Sequence, residues 1–194
     1  MYRLLLFLLP LLILMLGTSA ATAVEGRFER VTDNIYVYVG ETGARSYDNE
    51  GLNANIGLIV TAAGSVLIDS GASFQSAQKI DKAVKRITTQ PVRWVINTGG
   101  QDHRWLGNAY FVGQGAELIA HSKAKPDMQA RGGDHLMPLK AVLKERADGT
   151  VPMLPTRLIE GNDVALKFGG LAQWRAHARR PYGLVTRRDS SVQW

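Results

Sequence analysis

The chain has 194 residues, of which 45% are hydrophobic and 21% charged, and a formal net charge of +6. That length suffices for one domain with a sizeable core, and the composition is that of a globular protein, which excludes a disordered chain. From Leu171 onward five Arg stand against one acid, Asp189, so most of the excess charge lies at the C-terminal end; the centre has no basic stripe interleaved with aromatics, which excludes nucleic acid as a partner.

The chain begins MYRLLLFLLPLLILMLGTSAATAVEG. Arg3, an apolar run from Leu4 to Leu16 broken only by Pro10, and small residues ending at Ala23 predict a signal peptide over residues 1–23. The run falls short of the roughly 20 residues that cross a bilayer, so no stable membrane span is expected after cleavage. The mature chain then starts near Val24 and works in the periplasm or as a secreted protein. With no Cys, an exported chain has neither disulfide nor thiolate ligand, and any metal must be held by His, Asp or Glu. His occurs only at 103, 121, 135 and 177.

In NIYVYVG, Ile35, Val37 and Val39 alternate with Tyr36 and Tyr38, the pattern of a half-buried strand. A polar connection runs from Glu41 to Asn55. IGLIVTAAGSVLIDSG follows as two β-branched runs about Ala62-Ala63-Gly64, a predicted hairpin. Between Ser73 and Thr88, Phe74, Ala77, Ile80, Ala83, Val84 and Ile87 recur at three- and four-residue spacing, which predicts an amphipathic helix. PVRWVINT and GAELIAH read as strands. Two helices are expected over residues 122–131 and 136–146, with Pro126 and Pro138 in or before their first turns. TRLIEGNDVALKFGG reads as two short strands about a Gly161-Asn162-Asp163 turn. The order indicates an α+β layered domain with Ile56, Leu58, Val60, Val66, Leu67, Ile68, Val95 and Ile96 in its core.

The stretch VINTGGQDHRWLGN carries the chemistry worth weighing. By itself it is a glycine turn that ends a strand and starts a helix, with Asp102 or Asn108 as N-cap. It also brings Asp102 and His103 together, two residue types that ligate metals. His121 and His135 stand alone and read as surface or satisfied side chains.

Taken together, NANIGLIVTAAGSVLIDSG, the helix, VRWVINT and the loop closing on Gly107-Asn108 resemble the metallo-β-lactamase fold superfamily, αββα sandwiches of mostly zinc-dependent hydrolases. The resemblance covers Phe28 to Gly170. It implies an incomplete domain over residues 24–170, the N-terminal half to two-thirds of the sandwich, followed by an atypical Arg-rich tail over residues 171–194. The family's zinc loop reads Asn-Thr-His-x-His-x-Asp-His-x-x-Gly-Asn, and its neutral imidazoles and carboxylate leave an open position on zinc for an activated water. Here Asn97-Thr98 and Gly107-Asn108 keep the family's separation, while the four ligand positions, aligned without a gap, are Gly99, Gln101, His103 and Arg104. Slid by one residue, Asp102-His103 matches the family's Asp-His, but two other ligand positions become Thr98 and Gly100. The resemblance implies zinc, at most one ion or none, with His103 and Asp102 as metal ligands and Asp102 as the catalytic candidate. It makes Asp69, at the end of VLID, the residue that orders the loop, alongside Asn97, Thr98, Gly107 and Asn108.

Three functions stay open. One is an exported hydrolase that cleaves an ester, thioester or amide of a small-molecule substrate through metal-activated water. Another is a noncatalytic binding or accessory relative. The third is a truncated or frameshifted product, since Arg-Arg-Pro-Tyr-Gly at 179–183 can be encoded by codons that read Gly-Ala-His-Thr one base later.

Overall fold

The computed structural model describes residues 28–168, 173–179 and 183–188. The signal peptide and its cleavage near Ala23 fall outside the described residues.

Four antiparallel strands open the fold: β1 (Phe28–Thr32), β2 (Ile35–Tyr38), β3 (Ile56–Thr61) and β4 (Gly64–Ile68). The sequence reading missed β1, because only Phe28 is buried and the other four residues face water, leaving no alternation to read. Phe28 packs edge-on against Tyr38 at a ring separation of 6.0 Å. In β2 the tyrosine face is the better buried: Tyr38 belongs to the core and Tyr36 packs against it, while Val39 lies beyond the strand's end and is exposed. The β3–β4 hairpin forms as predicted. Its two-residue turn is closed by Thr61 Oγ1 donating to Gly64 O at 2.6 Å.

Next comes α1 (Phe74–Lys85), whose start is fixed by a capping box: Ser73 Oγ accepts from Ser76 N, and Ser76 Oγ accepts from Ser73 N. Ala77, Ile80, Ala83 and Val84 are its buried face. The chain continues as β5 (Val92–Asn97), the short α2 (Asp102–Trp105) and α3 (Asn108–Gly113), and β6 (Glu117–His121). β4, β5 and β6 run parallel, so their carboxyl ends, at Ile68, Asn97 and His121, share one edge of the sheet.

A single helix, α4 (Ala124–Leu143), replaces the two expected over 122–131 and 136–146, and a 3-10 turn follows at Lys144–Ala147. Pro138 lies inside it. A proline costs an interior helix about 3 kcal/mol. Met128, Leu139 and Leu143, all fully buried beside Trp105 and Leu106, are each worth about 2 kcal/mol and together exceed that cost.

The strands about Gly161-Asn162-Asp163 also form, but they do not pair with each other. β7 (Arg157–Ile159) lies parallel to β6, whereas β8 (Asp163–Lys167) begins a second sheet. Ile159 and Leu166 both enter the core between the two sheets, so the turn carries the chain across that core. In the Arg-rich tail, β9 (Gln173–Arg179) pairs antiparallel with β8, and β10 (Gly183–Arg188) with β9.

Among the described residues the seven-stranded sheet has the order β1-β2-β3-β4-β5-β6-β7, and the three-stranded one β10-β9-β8. α1 and α3 cover one face of the larger sheet through Ile80, Val84 and Phe111. The smaller sheet covers the other face through Leu166 and Phe168, the latter 5.1 Å from the Trp94 ring. Ile56, Leu58, Val66, Leu67, Val95 and Ile96 are buried as expected, and Val60 and Ile68 pack against the clusters they form.

Candidate functional site

The shared carboxyl edge of parallel strands is where open α/β sheets place their sites, because the loops that leave it converge there. Asp69 ends β4 in the left-handed region (φ 66), a conformation Asp tolerates better than most residues. Its carboxylate accepts from Thr98 N at 2.7 Å and from Thr98 Oγ1 at 2.6 Å. The strand-end acid thereby holds the first residue of the loop after β5.

The loop's two asparagines lock together. Asn97 Nδ2 donates to Asn108 Oδ1 at 3.0 Å, and Asn108 Nδ2 donates back to Asn97 Oδ1 at 2.9 Å. Asn97 also donates to Arg104 O and Asn108 to Met153 O, while Ser70 Oγ donates to Asn108 Oδ1. Both amides are fully buried, so each unpaired atom would cost about 1–3 kcal/mol, and this network leaves none unpaired. Asp102 and Asn108 are not the caps the sequence suggested. They are the first residues of α2 and α3, with Gln101 and Gly107 at the cap positions and no side-chain cap bond at either. The reason is that their side chains are engaged elsewhere.

For Asp102 the engagement is ionic. Arg45, from the connection between β2 and β3, places Nη2 2.5 Å from Oδ2, while Oδ1 accepts from His103 N at 2.8 Å and faces His103 Nδ1 at 3.3 Å. Burial pushes the carboxyl's pKa up, but the hydrogen bonds from His103 and Arg45 and the Arg45 charge outweigh it and hold the group well below the usual carboxylate range. Arg104 Nη1 donates to Thr98 Oγ1 at 2.6 Å, which leads to Asp69. Asp69 is pushed up to about 6, by burial above all, against the lowering effect of the Thr98 bonds and the Arg104 and His103 charges.

An acid raised in the folded state stabilises most below its unfolded pKa of about 3.9 and loses that contribution as pH rises through its folded value. Asp69 therefore subtracts about 2–3 kcal/mol between roughly pH 4 and pH 7. Asp69→Asn, which does not titrate, should gain on the wild type by about that amount across this range, whatever its offset at pH 4. Melting both proteins at four pH values checks it; a gap that stays constant would mean that Asp69 does not titrate there.

These residues do not fit a zinc pair. Gly99 has no side chain, Gln101 is exposed, and a guanidinium at 104 has no lone pair to donate. The remaining acid, Asp102, has both oxygens engaged. Among the described residues no three His, Cys, Asp or Glu side chains converge on a point. His121 is buried; Nδ1 accepts from Lys123 N at 3.1 Å, so Nε2 carries the proton and donates to Gly161 O at 2.9 Å. His135 lies on α4, and the side chain of His177 lies outside the described residues.

Sequence reasoning brought Asp69, Asn97, Thr98, Asp102, His103, Gly107 and Asn108 to one place, and the structure joins them there. It missed Arg45, a single Arg in a polar connection with no pattern around it. It also missed Asp127 of α4, which stands so close to Gly100 that a Cβ there would overlap its carboxylate.

No family model matches the chain. Among solved structures it resembles a metallo-β-lactamase from Hirschia baltica, with 13% identity, a TM-score of 0.58, and coverage of 83% of this chain and 65% of that one. The metallo-β-lactamase FIM-1 from Pseudomonas aeruginosa in its mono-zinc form gives 16% identity, a TM-score of 0.57, and coverage of 84% and 65%. A B3 metallo-β-lactamase with an active-site glutamic acid gives 21% identity, a TM-score of 0.60, and coverage of 85% and 57%. The chain thus spans less than two-thirds of the length of these proteins.

Proposed function

Because the chain has the metallo-β-lactamase fold without a zinc donor set among its described residues, we propose that it is a metal-independent, noncatalytic relative of these hydrolases. It acts as an exported binding or accessory protein, in the periplasm or outside the cell, and its ligand is a small molecule held at the carboxyl edge of β4, β5 and β6. Export rests on the N-terminal sequence. The small-molecule ligand rests on the place of the site in the fold.

The observation that carries this reading is the state of Asp102. A cation is drawn to a carboxylate by its uncompensated negative charge. Here the Arg45 guanidinium neutralises it at one oxygen, and the other accepts from His103 N. The neighbouring cation, Arg104, donates to Thr98 Oγ1.

The test is metal content by mass spectrometry of mature protein purified without chelator, with hydrolysis of ester, thioester and β-lactam substrates assayed with and without added zinc. Less than about 0.1 equivalent of zinc after dialysis and no turnover above buffer are expected for so poor a donor set. One tightly held equivalent together with hydrolysis that His103→Ala abolishes would instead establish the single-metal hydrolase.

A further inference from the structure

Arg45 joins the loop to a part of the chain that is otherwise anchored elsewhere. The connection over residues 41–55 is docked on α1 and the 3-10 turn without help from Asp102. Tyr47 Oη donates to Glu145, Arg146 stacks on the Tyr47 ring at 3.8 Å and donates to its carbonyl, and Glu50 pairs with Lys79 and Arg146. From that fixed base Arg45 reaches Asp102, with side-chain exposures of 16% and 21% respectively, so both charges are largely withdrawn from water. The Nη2–Oδ2 contact, between two charges so withdrawn, is what fixes the guanidinium on the loop.

We propose that Arg45 is a tethered counter-cation, its guanidinium holding the one acid of the loop in the electrostatic place a bound metal ion would take. A metal at Asp102 has to displace a cation already attached to the protein, whose effective concentration is millimolar or higher. It also has to bind beside the fixed positive charge of Arg45. The inference rests on the metal-independent reading above and adds to its missing donors a second obstacle, a residue outside the loop.

The test is thermal melting of the wild type, Arg45→Lys, Arg45→Ala and Arg45→Ala/Asp102→Asn, each with a chelator or about 5 mM cobalt(II), with visible absorption recorded alongside. Cobalt should leave the wild type and Arg45→Lys unmoved. Arg45→Ala should melt about 5 °C lower and recover about 3 °C with cobalt, with a new visible band from a carboxylate-imidazole complex. The double variant should show neither recovery nor band. If Arg45→Ala does not fold, Arg45→Gln, which keeps a donor and loses the charge, is read in the same way. Cobalt stabilising the wild type as much as the neutral variant, or stabilising neither, overturns the proposal. Turnover by the wild type alongside the expected cobalt response would overturn only the noncatalytic reading.

Discussion

Gly107→Ala is expected to lose about 4 kcal/mol and about 10 °C of melting temperature, or to be recovered only as insoluble protein. The backbone at Gly107 is ordinary (φ −79), so the effect is steric. A Cβ there would overlap the carbonyl oxygen of Ser70 and stand 2.9 Å from Ala77 Cβ. Neither neighbour can yield. Ser70 is held by its N–H to Arg104 O, Gly107 itself donates to Gly71 O at 3.1 Å, and Ala77 belongs to the buried face of α1. Two stretches of main chain thus meet at van der Waals distance with room for a hydrogen only. Calorimetry of the variant against the wild type measures the loss, and a melting temperature within about 2 °C would mean that the two backbones do not touch.

Trp105→Ala should cost nearly as much, about 3–5 kcal/mol, because the indole is fully buried and links three parts of the site. Its Nε1 donates to Gly100 O at 3.0 Å, it shares a cluster with Met128, Leu139 and Leu143, and its ring lies where a side chain at Gly132 of α4 would begin. Trp105→Phe fills most of the volume and loses only the hydrogen bond, so about 1–2 kcal/mol is expected. Chemical denaturation of the two variants separates volume from the N–H. Equal losses would place the whole effect in the hydrogen bond and refute the packing role.

What was legible in the sequence follows from periodicity. β3, β4, α1 and β5 could be read because each buries one face and exposes the other, or, like Val95 and Ile96, buries both. β1 could not, having one buried residue, and α4 was split in two because Pro138 and two adjacent glycines argue locally against a helix that tertiary packing sustains. The site was half legible. Asn97, Thr98, Gly107 and Asn108 stood out through their spacing, and the geometry explains that spacing: two amides must meet across the loop, and the glycine must let one backbone lie on another. Arg45 was invisible, since a residue that acts through a contact distant in sequence leaves no local pattern. The partition of strands between two sheets was invisible for the same reason, because β7 and β8 flank a turn that reads as a hairpin whether or not they pair.

The larger sheet has one more property, the identity of its strand order with its chain order. No strand is inserted between two earlier ones, so each new strand finds its partner at the edge completed just before it. A chain that emerges amino end first can build this sheet by addition alone, without reopening any pair, and the antiparallel strands that need the shortest loops come first. The slow closures, the parallel pairings that wait for α1 and then for α3, fall in the second half, when a four-stranded template is already in place to receive them.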